Sequence, residues 1–397
     1  MHITFAASMC ALDPVSGAMH SVRAILETLQ ANGCTATSYT ASVFDAKRDV
    51  SFAQAFGPEA GSDAAAGKIV SIQRNGVNHY IYRTQRSRGR YFTDAEQQAM
   101  IERWRDFLAT NKPDLILSFS RSNLAKSMRK MAADAGAKVV LYLGNAEVDD
   151  EAMFAPGYSA ICPSAFLAEH YRKTYGLETA VINPIIAPEH QRESHLAKLD
   201  VGSRQALGFV TLINPMPHKG LALFAKLAAR AAAERPDVRF LVIEGRMPRS
   251  TLQARGLDLG AWPNVWLIPE QQDMGAVYAR TAMLLMPSYW AEGFGRTVVE
   301  AHLSGVPVLA SDRGGLPEAL GGVPPLPAPP SCLEDFNRFP TPDELEPWWD
   351  RMVSLWDDAQ AYDQAVTQAH QAAEQFYPDA TKQRLLDWFA KQQGTPS

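Results

Sequence analysis

The chain contains 397 residues, about two to three times the usual size of one domain, so two domains are expected. Hydrophobic residues make up 46% of it and charged residues 20%, which excludes a disordered or fibrous chain. The formal net charge of −5 argues against a general nucleic-acid binder, because such proteins need a basic excess to replace counterions.

The N-terminal residues predict a strand followed by a helix. The strand is HITFAAS, residues 2–8, and the helix runs from Ala18 to Ala31 and stops at Asn32-Gly33. No cationic segment precedes the strand, and no apolar run in the chain reaches the length of a membrane span. These features predict a cytoplasmic protein, with peripheral attachment to the inner face of the membrane left open.

The rest of the first half predicts a parallel sheet with an added hairpin. Residues 69–74 and 77–83 are rich in β-formers and flank Asn75-Gly76, which is a strong hairpin signal. Two further strands, residues 114–119 and 138–143, enclose a helix at 122–135. Short apolar runs that alternate with longer amphipathic stretches are typical of βα units.

The second half restarts this pattern after a connection between Asn183 and Asp200. The predicted strands are 208–213, 238–245, 264–269, 282–288 and 306–312, and the predicted helices are 220–235, 273–281 and 296–303. Two doubly wound sheets account for the series. Residues 324–347 carry eight prolines and are predicted to form an ordered loop without regular helix, followed by two helical segments.

The most informative segment is PSYWAEGFGRTVVEAHLSGVPVLASDRGGLPE, from Pro287 to Glu318. Glycines on both sides of Phe294 leave the backbone uncrowded just before a helix begins at Arg296, so several N–H groups can face one anion. Glu292 lies in the loop and Glu300 one turn into the helix. Carboxylates beside a phosphate cradle suit ligand hydroxyls, which indicates a sugar joined to a nucleotide.

This segment resembles the E-x7-E signature of retaining glycosyltransferases of the GT-B fold, family 4. The following GVPVLASDRGGLPE is similar to the strand and Gly-Gly-x-x-E loop of that family. The resemblance implies two doubly wound Rossmann-like domains with an interdomain cleft: an acceptor-binding domain at 1–187, a nucleotide-sugar domain at 200–375, and a C-terminal helix at 376–397 that packs back on the first domain.

The resemblance also assigns roles to individual residues. Lys219, in TLINPMPHKGLALFAKLA, would neutralise the donor diphosphate, and Glu292 would hold hydroxyls of the donor sugar as the second catalytic residue. Glu300 would hold the ribose hydroxyls. The remaining expected donor-binding residues are Gly17, Asn214, Arg246, Gly293, Phe294, Gly295, Arg296 and Thr297.

Two positions depart from the pattern of the family. Asn214 stands where the family usually has arginine, so one positive charge is missing, and Arg246 or Arg296 could supply it. Asn145 stands near the position where many members have a histidine beside the reacting sugar. Asn145 and Arg121 are the expected residues on the acceptor side.

The implied reaction is transfer of a sugar from a UDP-, GDP- or ADP-sugar to an unidentified glycan, lipid or other glycoconjugate, with retention of configuration. No metal or other cofactor is expected, and the chain contains no Asp-x-Asp. The four cysteines have no zinc-ligand spacing. A non-catalytic nucleotide- or glycan-binding partner protein and a nucleotide-sugar epimerase remain as alternatives.

The basic residues are concentrated in one part of the chain. From Lys68 to Lys138 there are 14 Lys and Arg against six Asp and Glu, an excess of eight. The densest groups are residues 83–91 and 121–130. An anionic acceptor or a phospholipid surface is therefore one expectation, and a solvated basic face is the other. The oligomeric state stays open.

Overall fold

A computed structural model describes residues 1–14, 16–45, 49–57, 66–147, 153–186, 194–254, 256–271 and 273–393. The chain divides into two compact units. The first comprises Met1–Ile185 and Thr381–Ser397, and the second comprises Ile186–Ala380. The predicted boundary at residue 187 and the last four residues of the predicted C-terminal helix lie outside the described residues.

The first unit is built on a mainly parallel sheet. Its strands are β1 (His2–Ala7), β2 (Thr35–Ala41), β3 (Ile69–Arg74), β4 (Val77–Tyr82), β5 (Leu115–Ser118), β6 (Lys138–Tyr142), β7 (Ser159–Cys162) and β8 (Ala180–Val181). Within the described residues they follow the order β3-β4-β2-β1-β5-β6-β7-β8. Its helices are α1 (Gly17–Ala31), α2 (Phe52–Phe56), α3 (Asp94–Asn111), α4 (Asn123–Asp134) and α5 (Ala165–Tyr175), with α15 (Pro378–Gln393) running into this unit from the end of the second.

The hairpin of β3 and β4 forms as the sequence predicts. The two strands pair antiparallel from Ile69 opposite Tyr82 to Arg74 opposite Val77. Both residues of the connecting turn have positive φ, 48° at Asn75 and 79° at Gly76. This is the backbone that asparagine and glycine tolerate best, and it matches the twist of the flanking strands.

Alternate side chains of the central strands enter apolar cores on opposite faces of the sheet. Phe5 and Leu117 lie in one core, and Ala6 and Ile116 lie in the other. The first core also contains Leu385 and Phe389 of α15. This helix therefore covers part of the sheet face of the first unit.

The second unit has a fully parallel sheet among its described strands. These are β9 (Phe209–Ile213), β10 (Phe240–Ile243), β11 (Val265–Ile268), β12 (Thr281–Met286) and β13 (Val308–Ala310), in the order β11-β10-β9-β12-β13. The helices are α6 (Val201–Leu207), α7 (Leu221–Glu234), α8 (Arg249–Ala254), α9 (Met274–Tyr278), α10 (Arg296–Leu303), α11 (Leu316–Ala319), α12 (Pro330–Glu334), α13 (Pro342–Asp357) and α14 (Ala359–Ala373).

This strand order positions a ligand site. The chain order reverses between β9 and β12, so the connections that follow these two strands leave in opposite directions. Open α/β sheets bind ligands beyond the carboxyl ends of two such strands. The two doubly wound α/β sheets predicted from the sequence are confirmed.

Residues 324–347 were predicted to lack regular helix, and this prediction is wrong. Helix α12 and the first residues of α13 lie in this segment. Pro330 and Pro342 begin these helices, at the position where the missing N–H costs nothing. Thr341 and Glu344 form a capping box that fixes the start of α13. Pro347 lies inside the helix, where it removes one main-chain bond, and buried Trp348 and Trp349 stabilise this helix by packing.

Among the described residues, no helix combines the length and the apolar character that crossing a bilayer requires.

Candidate nucleotide-sugar site

The predicted donor-site residues of the second unit lie on loops at the carboxyl end of its sheet. Asn214 and Lys219 follow β9, and Arg246 follows β10. Residues 293–295 belong to the connection from β12 to α10, and Arg296, Thr297 and Glu300 lie in that helix. Parallel strands end at the same edge, so residues distant in sequence meet there.

The turn that carries Lys219 depends on a glycine. Residues Pro217–Lys219 form a single 3₁₀ turn, and Gly220 follows with φ 82°. A Cβ at Gly220 would lie 2.0 Å from the carbonyl oxygen of Pro287, so only glycine lets the turn pack against the residues after β12. The carbonyl of His218 accepts the N–H groups of Tyr289 and Trp290, at 2.9 and 3.1 Å.

This packing brings Lys219 to Glu292, 73 residues further along the chain. The ammonium of Lys219 forms an ion pair with Glu292 Oε1, and the two side chains are 21% and 12% exposed. Ser288 donates its hydroxyl to the same oxygen at 2.7 Å. Both side chains keep some exposure. The ammonium can therefore bind the phosphates of a ligand while the carboxylate binds its hydroxyls.

The backbone of Glu292 is held by the loop after β13. Its carbonyl accepts the N–H of Gly315 at 2.7 Å, and Glu292 pairs with Gly314 as an isolated bridge. Gly314 has φ 63°, and a Cβ there would lie 2.4 Å from the nitrogen and the carbonyl oxygen of Glu292. The Gly-Gly pair of the sequence therefore makes room for the backbone of the acidic loop.

The turn around Phe294 opens α10. Phe294 itself is buried and packs edge-on against Phe376, with ring centroids 5.3 Å apart. Gly295 has φ 114° and begins the helix without a side-chain cap. The N-terminal end of α10, with Arg296 and Thr297 in its first turn, thus has the positive end of the helix dipole without a capping side chain.

Glu300 is buried and bound on both oxygens. Tyr278 donates its hydroxyl to Oε2 at 2.9 Å, and Arg296 lies 3.5 Å from Oε1. Burial and the neighbouring carboxylate together raise the pKa of Tyr278 well above its usual value, so this phenol remains a hydrogen-bond donor. Each carboxylate oxygen can accept a second bond, which leaves capacity for ligand hydroxyls.

Asn214 and Arg246 are brought together by a hydrogen bond between a side chain and the main chain. The side-chain oxygen of Asn214 accepts the N–H of Arg246 at 3.1 Å. Gly245 leaves space for that oxygen, because a Cβ at residue 245 would lie only 2.8 Å from it. The structure thus places Arg246 on a loop fixed by the residue that departs from the family pattern.

The first unit holds the three other predicted residues. Gly17 begins α1, and no heavy atom lies within 4 Å of the place a Cβ would take, so packing does not require glycine there. Arg121 donates to the carbonyl of Glu147 at 3.0 Å. The side chain of Asn145 accepts the N–H of Glu147 at 3.3 Å and donates to its carboxylate at 3.2 Å. Arg121 and Asn145 therefore meet at Glu147, after β5 and β6.

Two site residues were not predicted from the sequence. Ser288 and Tyr278 each donate a hydroxyl to one of the two glutamates. Ser288 stands four residues before Glu292 and directly after the apolar run of β12, which is a usable signal for a residue at the sheet edge. Tyr278 ends α9, and nothing in its local sequence indicates its partner 22 residues away. Among the described residues, no three His, Cys, Asp or Glu side chains cluster as metal ligands would.

Part of the chain is similar in sequence to known glycosyltransferases. Residues 207–321 match the family described as glycosyl transferases group 1. The D-inositol 3-phosphate glycosyltransferase of Mycobacterium sp. (strain KMS) is 35% identical over 137 residues, which make up 32% of this chain. The chain thus spans less than a third of the length of that relative, 30%.

Two solved structures cover almost the whole chain. Sucrose-phosphate synthase from Thermosynechococcus elongatus has a TM-score of 0.69 at 15% identity and covers 99% of both chains. The Anabaena protein HepE, in complex with UDP-glucose, has a TM-score of 0.69 at 16% identity over 98% of this chain and 100% of its own. The predicted GT-B fold with two Rossmann-like domains is confirmed, and its C-terminal unit carries the segment that matches glycosyl transferases group 1.

Proposed function

We propose that this chain is a metal-independent glycosyltransferase that moves a sugar from a nucleotide-diphosphate sugar to an acceptor with retention of configuration. The observation that carries the proposal is the Lys219–Glu292 pair beside the uncapped start of α10. This arrangement lies within the segment that matches glycosyl transferases group 1. It offers a cation and oriented amides for a diphosphate, and a carboxylate for sugar hydroxyls.

In this proposal the leaving group is stabilised mainly by electrostatics. The bond between the anomeric carbon and the diphosphate oxygen breaks, and the acceptor oxygen bonds to the same face of the sugar. The acceptor proton leaves with the nucleoside diphosphate. Lys219 and the amides of residues 294–297 stabilise the negative charge that develops on the diphosphate, without rearrangement during the reaction.

The remaining donor-binding roles follow the same chemistry. Glu292 accepts hydroxyl protons of the sugar, and Glu300 accepts those of the ribose. Arg246 and Arg296 supply further positive charge to the diphosphate, and Gly293 and Gly295 leave the turn uncrowded. HepE is a solved complex with UDP-glucose, which makes UDP-sugars the first donors to test, followed by GDP- and ADP-sugars.

A mass-spectrometric screen of nucleotide-sugar hydrolysis and transfer tests this function. We expect the wild type to release one nucleoside diphosphate, in EDTA as well as in magnesium buffer, and Glu292→Ala to retain only a small residual activity. Glu334→Ala, an exposed acid of the same unit, is the matched control. Nuclear magnetic resonance of the product reports whether configuration is retained. Nucleotide binding without turnover would favour the non-catalytic alternative, and isomerised donor would favour an epimerase.

For the acceptor, we propose a molecule with an anionic group that binds the basic loop of residues 83–91. The guanidinium carbons of Arg86, Arg90 and Arg88 lie 3.7, 4.6 and 5.8 Å from the centre of the Tyr91 ring. Asp49 pairs with Arg86. Arginines grouped around one aromatic ring present planar donors that match phosphate and carboxylate.

Two observations support an anionic acceptor of small size. A recess of about 150 Å³ adjoins the loop, and its lining includes Ser42, Phe52, Arg83, Thr84 and Ser87. The name of the mycobacterial relative specifies a phosphorylated polyol. A soluble phosphorylated acceptor and a phospholipid headgroup share this chemistry, and the second would make the protein peripheral to a membrane.

Binding measurements separate the two sources. We expect Arg88→Gln/Arg90→Gln to weaken binding of inositol 3-phosphate or of vesicles that contain phosphatidylglycerol, whichever the wild type binds. Lys130→Gln/Lys173→Gln removes two charges from exposed ion pairs of the same unit and should have no effect. Equal binding of inositol and inositol 3-phosphate, together with equal binding of anionic and neutral vesicles, would overturn the proposal.

A further inference from the structure

Ser288, the second residue after β12, is fully buried, and its hydroxyl has three oxygen atoms within reach. Glu292 Oε1 lies at 2.7 Å, and the carbonyl oxygens of His218 and Trp290 lie at 3.2 and 3.3 Å. A serine hydroxyl carries one proton, and a carboxylate is a stronger acceptor than a carbonyl. The proton therefore goes to Glu292.

Glu292 Oε1 has a second donor of a different kind. The ammonium of Lys219 contacts the same oxygen, and Lys219 stands on a flexible stem with a partly exposed side chain. In the proposed function this ammonium binds the diphosphate of the donor. When Lys219 turns toward the diphosphate, Glu292 loses its charged partner and keeps the hydroxyl of Ser288 as a donor.

Ser288 itself is fixed on both sides. Its carbonyl accepts the hydroxyl of Ser311, also fully buried, at 2.6 Å. The N–H groups of the next two residues, Tyr289 and Trp290, both donate to His218. A donor with no freedom to move can hold a carboxylate at one place, which a lysine that changes partners cannot do.

We propose that Ser288 is a positioning residue that holds the carboxylate of Glu292 in place while Lys219 binds the diphosphate. The inference rests on the proposed function and adds a residue to it. Ser288 touches neither the sugar nor the phosphates in this scheme. Its effect reaches the reaction through Glu292 alone.

A double-mutant cycle of Ser288→Ala and Glu292→Ala tests this dependence. With the donor that the wild type turns over best, starting with UDP-glucose, we expect Ser288→Ala to lower kcat at least tenfold. The affinity for UDP, measured by calorimetry, should change less than threefold, since the diphosphate contacts remain. The double variant should be no slower than Glu292→Ala. A double variant that is a further tenfold slower would overturn the proposal.

Control variants separate positioning from general loss of stability. Thr281→Val removes a buried hydroxyl that bonds Val277 and Thr211 at the other end of β12, and it should keep wild-type kcat. Ser288→Cys retains a small, weak donor and should restore part of the activity. Equal loss of activity in Thr281→Val and Ser288→Ala would show a structural role only and would overturn the proposal.

Failure of the proposed function gives a different result. In that case the wild type turns over none of the donors. The positioning role of Ser288 is then tested by crystal structures of wild type and Ser288→Ala with bound UDP. If no nucleoside diphosphate binds, the structures are determined without it and with Lys219→Ala as background. A Glu292 carboxylate displaced only when Ser288 is replaced supports the positioning role, and one that keeps its place in Ser288→Ala refutes it.

Discussion

The side-chain oxygen of Asn214 accepts the N–H of Arg246 at 3.1 Å, and this bond ties the loop after β9 to the loop after β10. Asn214 has φ 58°, a left-handed conformation that asparagine adopts more readily than most residues. Its own N–H donates to the carbonyl of Ile243 at 2.9 Å. The backbone of Arg246 is thereby fixed near the turn of Lys219, and we expect its guanidinium to serve as the second cation for a diphosphate.

Replacing Arg246 by glutamine should weaken the binding of UDP about tenfold or more. A hydrogen bond that involves a charged group contributes about 1.5 to 3 kcal/mol, and each 1.4 kcal/mol corresponds to about a tenfold change in affinity. Titration calorimetry at low and high salt measures the effect. The variant should also show a weaker salt dependence, because one fewer cation faces the phosphates.

Arg249→Gln is the matched control. Arg249 lies three residues further along, and its exposed guanidinium pairs with Asp258 at 3.3 Å. Its replacement should leave UDP affinity within about twofold of wild type, since surface ion pairs contribute little. Equal affinities of the Arg246 and Arg249 variants would assign the second cation elsewhere, with Arg296 the next candidate.

Removing the hydroxyl of Tyr278 should reduce recognition of the ribose. Tyr278→Phe leaves Glu300 Oε2 without its buried donor, and an unmet buried polar group costs about 1 to 3 kcal/mol. Wild type should bind UDP more tightly than 2′,3′-dideoxyuridine diphosphate, because the ribose hydroxyls donate to Glu300. In Tyr278→Phe and in Glu300→Gln this preference should shrink.

The ratio of the two affinities is the quantity to follow by calorimetry, because it cancels a general loss of stability. Tyr362→Phe is the control, since Tyr362 is buried in the same unit and donates its hydroxyl to the carbonyl of Ala282 at 2.8 Å. It should destabilise the unit and keep the preference for UDP. An unchanged preference in Glu300→Gln would contradict the role of Glu300 at the ribose.

Sequence patterns predicted the parts of the fold that depend on local chemistry. Helix α10 begins at Arg296 and ends at Leu303 as expected, because Gly295 and Gly305 mark its two ends. The Asn75-Gly76 turn gave the hairpin of β3 and β4. Lys219 and Glu292 were assigned to one ligand by resemblance, and the structure brings them into contact.

The remaining features depend on contacts between distant residues. Tyr278 acquires its role from Glu300 on another helix, so no spacing pattern marks it. Ser288 is marked only by its place after β12, four residues before Glu292. Helix α12 and the start of α13, which were not predicted, show the opposite case, because packing overrode the rule that proline-rich segments lack regular helix. Buried tryptophans of α13 pack into the core, and this packing outweighs the hydrogen bond lost at Pro347.

His302 should make the second unit sensitive to acid. Burial, with a smaller contribution from nearby His370, lowers the pKa of His302 to about 3. Neither ring nitrogen has a hydrogen-bond partner. Since the unfolded pKa is near 6.5, the unfolded state binds the proton and the folded state does not. The free energy of unfolding should therefore fall as the pH drops below about 6.5, and the loss continues toward pH 3.

Between pH 7 and pH 5 this one group should reduce the free energy of unfolding by about 2 kcal/mol. His302→Leu should remove that part of the pH dependence, as measured by urea unfolding with tryptophan fluorescence. His195→Gln, which replaces an exposed histidine of the same unit, is the control and should retain the wild-type slope. Parallel pH profiles of His302→Leu and wild type would contradict the prediction.

Gly220→Ala should damage both stability and nucleotide binding. The left-handed backbone costs a non-glycine residue about 1 to 2 kcal/mol, and the added Cβ would lie 2.0 Å from the carbonyl oxygen of Pro287. Main-chain atoms cannot move aside as a flexible side chain can, so the 3₁₀ turn must shift. We expect the melting temperature to fall and UDP affinity to drop at least tenfold, because Lys219 moves with the turn.

Gly256→Ala separates the two causes. Gly256 has almost the same φ, 79° against 82°, but no heavy atom lies within 4 Å of its would-be Cβ. The control therefore carries the backbone cost alone, and it should lower stability modestly while UDP affinity stays at the wild-type level. If Gly220→Ala behaved like Gly256→Ala in calorimetry and thermal unfolding, the contact with Pro287 would not be what sets the position of Lys219.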